Sequence, residues 1–179
     1  WEVLVTMTPA DYASFRDSLG QSSGFQSFQY RELEYLLGNK NAAFIEAHKN
    51  HPENYQHLST VLNAPSLYDV CLQLLKKRGF DMPETHTSRD WQQPYEPSKQ
   101  VEAAWQQVYQ DTETYWDLYE LAEKLVDLEY HFQQWRFNHM KTVERIIGHK
   151  HGTGGTSGVD YLQKALSLQF FPELWSVRT

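Results

Sequence analysis

One cysteine, Cys71, stands in 179 residues. A single thiol rules out an intramolecular disulfide framework and suits a reducing compartment, so the cytoplasm is the expected location. No run approaches the roughly 18 consecutive apolar residues of a membrane-crossing helix, and no basic-then-apolar leader is recognisable, which leads to the expectation of a soluble protein. Basic runs are short as well. None exceeds Lys76-Lys77-Arg78, and the formal net charge is −7, a balance that argues against nonspecific phosphate binding and hence against a nucleic-acid partner. An anionic small molecule would need a locally placed cation instead.

Several catalytic signatures are missing too. There is no GxSxG elbow, no phosphate-cradling GKS or GKT loop and no GxGxxG after a strand, so hydrolase, kinase and nicotinamide readings have no support. Eight histidines make zinc worth testing. The pairs His48/His51 and His149/His151 do not form HExxH, and closed zinc sites draw on more cysteine than this chain has.

What is present is helical periodicity. The length suits one compact unit, residues 1–179, although the opening at Trp1 rather than Met leads to the expectation of a preceding segment. Thr8-Pro9-Ala10-Asp11 reads as a helix opening, with Thr8 as cap and Asp11 on the positive end of the dipole. Phe25 to Leu37 reads as a second helix closed by Gly38, its apolar face drawn from Phe25, Phe28, Leu33, Leu36 and Leu37, with Arg31, Glu32 and Glu34 facing solvent. Shorter helices are expected at about 42–49, 53–62 and 66–78, the last with Leu67, Val70, Cys71, Leu74 and Leu75 at core spacing. Residues 79–99, with three prolines and Trp91, read as a surface excursion. A helix through Trp105 and a long one from about Thr112 to Ile147 follow, then a turn or two at 161–168 and an aromatic tail. With no convincing strand, the fold class is all-α, a helical bundle.

Chemistry concentrates late in the chain. In the long helix an apolar stripe runs Leu121, Leu125, Leu128, Phe132, Trp135, His139, Val143 and Ile146, steps of three and four that only a helix places on one face. His139 therefore points where the hydrophobic residues point. That placement suits a core histidine satisfied by a neighbour as well as a metal ligand. The stretch GTGGTSG, Gly152 to Gly158, follows; four glycines among hydroxyls can approach a ligand with backbone and move, or can simply end a helix and link onward. Near the start, Tyr12 and Arg16 lie four apart and can offer a phenol and a planar cation to one carboxylate, with pairing of Arg16 to Asp17 or Glu2 as the alternative. Ser22-Ser23-Gly24 is either an anion-binding turn or a plain one.

Three separated motifs go further: FRDSLGQSSGFQSFQYRELEYLLGNKN, DLEYHFQQWRFNHMKTVERIIG, and GTGGTSGVDYLQKAL with FFPELWSVRT. Over nearly its whole length the chain resembles the bacterial type of tryptophan 2,3-dioxygenase. The resemblance implies a bundle around a haem pocket, with haem b as cofactor, L-tryptophan and O2 as substrates, and a homotetramer whose subunits complete one another's pockets. His139 matches the proximal imidazole on the haem iron. Arg16 matches the arginine on the substrate carboxylate, Tyr12 the hydroxyl beside it and Thr153 the loop threonine on the amino acid's polar groups. Ser23 and Gly24 match the turn lining the distal pocket, and Trp1 a pocket tryptophan. The family's distal histidine belongs to a segment upstream of the position matching Trp1 and is absent from these residues. Asp160 departs from the pattern. The product implied is N-formylkynurenine; the same motifs would serve a haem monooxygenase on the same scaffold, and a helical haem or amino-acid binder is the alternative outside catalysis.

Overall fold

A computed structural model describes residues 6–16, 27–147 and 164–178. Every regular element among them is helical, so the chain is all-α as its periodicity predicts. In chain order the α-helices are α1 Pro9–Arg16, α2 Phe28–Leu37, α3 Pro52–Asn63, α4 Leu67–Lys77, α5 Glu84–Thr87, α6 Lys99–Gln110, α7 Trp116–Ile147 and α8 Pro172–Ser176, with a 3-10 helix at Ala42–His48 between α2 and α3. Among the described residues no helix is long and apolar enough to cross a membrane. The described residues form two compact units, 6–16 and 27 with 130–147 and 164–168 in one, and 28–129 with 169–178 in the other.

Helix starts follow the predicted chemistry. At α1 the Asp11 amide donates to the Thr8 hydroxyl and the Thr8 amide donates back to the Asp11 carboxylate, each at 3.2 Å. Ser66 and Asp69 make the same reciprocal box at α4, which satisfies amides that the first turn leaves without helical partners. Gly38 ends α2 at φ +116°, a backbone angle that side chains with a Cβ resist.

In the larger unit α2 packs on α3 and α4, and the 3-10 helix on α3. Tyr35, Ile45, Leu58 and Leu62 form the core there, with Phe28, Tyr55 and Val61 against it. A second, polar centre joins distant segments. The buried Glu173 carboxylate accepts from the Tyr68 hydroxyl at 2.9 Å, the Tyr95 hydroxyl at 2.6 Å and the Ser98 amide at 2.8 Å, while Trp105 Nε1 donates to Tyr68 at 3.0 Å. The aromatic tail packs as expected, with Phe170, Phe171 and Leu174 buried.

Three faces differ from the sequence expectation. On α2, Leu33 and Leu36 are exposed at 47% and 43%, whereas Arg31 and Glu34 are buried. Those charges are tolerated inside because they pair with each other, and the Arg31 guanidinium also lies 3.8 Å over the Phe44 ring. On α4, Leu67 and Val70 turn outward while Tyr68, Asp69 and Leu72 turn in. Asp69 is drawn inward by its cap and by Arg89, which binds it through Nε at 2.8 Å and Nη2 at 3.0 Å. On α7 the buried residues are Leu118, Ala122, Leu125, Val126, Glu129, Arg136, Met140 and Thr142; of the expected stripe, Leu128 and Trp135 are exposed at 40% and 38%. Leu121, Phe132, His139 and Val143 are half-buried, and the side chain of Ile146 lies outside the described residues. Glu129 and Arg136 enter the buried row because polar partners meet them: Phe170 and Phe171 amides and the Trp175 indole Nε1 donate to Glu129 at 2.6, 3.1 and 2.9 Å, and Arg136 Nη1 donates to the Leu168 carbonyl at 3.1 Å.

Candidate functional site

The second half of α7 carries the best-developed chemistry in the smaller unit. Phe132, Trp135, Arg136 and His139 fall at i, i+3, i+4 and i+7, so the helix stacks them along one side. The His139 ring lies against Trp135 with centroids 5.5 Å apart and planes within 17°. Trp135 in turn meets Phe132 at 6.0 Å, and the Arg136 guanidinium sits 4.7 Å from the Phe132 centroid. Desolvation by burial holds the His139 pKa below the ordinary imidazole value of 6.5. The ring is therefore neutral at pH 7.

A neutral imidazole is the form a metal requires. Among the described residues, however, no group of three or more His, Cys, Asp or Glu converges to hold an ion. Among the described residues, then, His139 has no second ligand beside it, and a partly exposed indole flanks it. That donor set fits a metal arriving with its own planar ring of nitrogens, for which one axial imidazole suffices and flat apolar neighbours are favourable. Haem meets that description.

The other predicted site residues are placed less fully. Tyr12 and Arg16 share α1 at the expected four-residue separation, and Tyr12 is half-buried. The side chain of Arg16 lies outside the described residues, as do Trp1, Ser23, Gly24 and Thr153. Two open clefts lie elsewhere, one of about 570 Å³ beside Tyr55, Ser59 and Thr60, and one of about 480 Å³ beside Tyr109, Glu123 and Arg178. Neither contains a predicted site residue, although Ser176, Val177 and Arg178 beside the second belong to the FFPELWSVRT motif. Arg136 is the residue sequence reasoning missed. The adjacent pair Trp135-Arg136 was its signal, since an arginine immediately beside an apolar stripe can be held inside when a carbonyl meets it.

Comparison with known proteins supplies the family. The tryptophan 2,3-dioxygenase family model matches residues 1–65 and 62–179. Tryptophan 2,3-dioxygenases from Bacillus thuringiensis (strain Al Hakam) and Bradyrhizobium sp. (strain ORS 278) are 58% and 57% identical to the chain over 179 residues. The chain is covered completely in both cases and spans 64% of each relative. The Burkholderia multivorans enzyme is 55% identical, with 58% of its length covered. The chain thus spans less than two thirds of the relatives it matches. With a family model covering it from end to end and such relatives over every residue, the chain belongs to the tryptophan 2,3-dioxygenase family.

Proposed function

We propose that this chain is the haem-ligating part of an enzyme that cleaves the indole C2–C3 bond of L-tryptophan with O2, giving N-formylkynurenine, the first step of tryptophan breakdown by the kynurenine pathway. The observation that carries the reading is His139, a neutral imidazole stacked on an indole, at the family's proximal-ligand position. Haem b, ferrous when active, would be held through His139, with Trp1, Ser23 and Gly24 lining its pocket; when bound it supplies the iron on which dioxygen is activated. The remaining residues act on the amino acid. Arg16 pairs its planar fork with the substrate carboxylate, Tyr12 offers a hydroxyl beside it, and Thr153 meets the polar head group from the glycine-rich stretch. Holding the zwitterion at one end fixes the indole at the other, which lowers the barrier by removing orientational freedom before reaction. Exclusion of water from that pocket protects the reacting oxygen.

The same reading takes residues 1–179 as one haem-binding domain in a cytoplasmic homotetramer. Product mass after turnover in 18O2 tests the reaction. Both labelled atoms in N-formylkynurenine are expected. Incorporation of one atom identifies a monooxygenase, and haem binding without any product identifies a binding protein.

A further inference from the structure

The Arg136 side chain is fully buried, and among its bonds is one to a carbonyl of a different segment. Leu168 lies two residues beyond a short helical turn at 164–166, and the Nη1 bond at 3.1 Å ties that turn's exit to α7. On its other side the same guanidinium lies over Phe132. Phe132 borders Trp135, and Trp135 lies nearly parallel to His139. Four planar groups therefore form one row, each limiting the rotation of the next. An imidazole has two free side-chain torsions, and the second is broad unless a neighbour restricts it. The Trp135 face supplies that restriction here, and Arg136 backs the row with a rigid, always-charged fork that lysine cannot copy.

We propose that Arg136 is a positioning residue: it fastens the 164–168 segment to α7 and, through Phe132 and Trp135, sets the plane of the His139 imidazole. The proposal rests on His139 being the axial haem ligand. Ligand-orienting partners of this kind tune a metal site without touching the metal. A row built from a guanidinium and two rings adds no acceptor for the second ring nitrogen, so its effect is on orientation.

The test uses the haem-loaded protein and two readouts other than turnover: amide exchange at Ala165–Leu168, and the iron–imidazole stretch of the ferrous form by resonance Raman. Arg136→Met is expected to speed exchange there about tenfold, from loss of a charge-assisted hydrogen bond, and to shift and broaden the stretch. Arg136→Lys keeps the charge and should recover part of the protection while leaving the stretch shifted. Trp135→Phe, at a partly exposed position that tolerates change, should shift the stretch and leave exchange at 165–168 as in the wild type. It keeps the proposal testable if the Arg136 variants do not fold. Faster exchange in Arg136→Lys with a wild-type stretch, or a wild-type stretch in Trp135→Phe, would overturn the proposal. An unmodified protein with no iron–imidazole stretch would instead remove His139 as ligand, and the proposal with it.

Discussion

Two histidines held below their ordinary pKa illustrate different uses of burial. His139 is neutral because it is desolvated beside Trp135, which suits a ligand. His48 is neutral because burial, the Arg31 charge and His51 all oppose a proton, and its Nε2 has no hydrogen-bond partner among the described residues. A group whose folded pKa lies below its unfolded value adds nothing while both states are neutral. As pH falls below about 6.5 the unfolded chain takes the proton first, so stability declines until the folded pKa is passed. The thermal midpoint should therefore drop between about pH 7 and 5, and His48→Leu should flatten part of that drop. An unchanged slope in the variant would remove His48 as a cause. The proposed role of Arg16 gives a kinetic prediction at the same scale: Arg16→Lys should raise KM for tryptophan by about tenfold or more, since a point charge replaces a two-bond fork. Efficient turnover of tryptamine, which lacks the carboxylate, by the unmodified enzyme would contradict that role.

At the scale of elements, helix ends were legible and helix faces were not. Thr8-Pro9-Ala10-Asp11, Ser66 with Asp69, and Gly38 specify boundaries through local backbone chemistry, which a sequence displays directly. Faces depend on distant partners. Counting apolar residues places Leu33 and Leu36 inside and Arg31 and Glu34 outside, and the opposite holds because the two charges meet each other and the Phe44 ring. Glu129 is the same lesson on α7, since its three donors come from residues some forty positions later. Those donors make a prediction: Glu129→Ala leaves two amides and an indole N–H buried without their acceptor, and should lower the unfolding midpoint by roughly 5–10 °C. Glu129→Gln retains one acceptor oxygen and should lose less. A midpoint within a degree of wild type in Glu129→Ala would show that the tail is held by packing alone. Of the candidate site, His139 and the Tyr12/Arg16 pair could be placed by spacing. The row from Arg136 to His139 could not, because neither a buried guanidinium nor a stacking angle leaves a periodic trace.

For the whole molecule, family membership rests on the entire sequence, and the proposed activity rests on what the proposed site residues would do together. The inferred tetramer predicts a light-scattering mass four times that of the subunit at micromolar concentration. A monomer retaining full activity at nanomolar dilution would contradict pockets completed by neighbouring subunits. The central claim is that one imidazole, His139, holds haem for this protein, and the absorption spectrum of the His139→Ala variant tests it most directly. Reconstituted with haem beside the wild type, the variant should lack the wild-type Soret and visible bands while keeping a helical circular-dichroism spectrum. A wild-type absorption spectrum in His139→Ala would contradict the account and move the ligand to another residue.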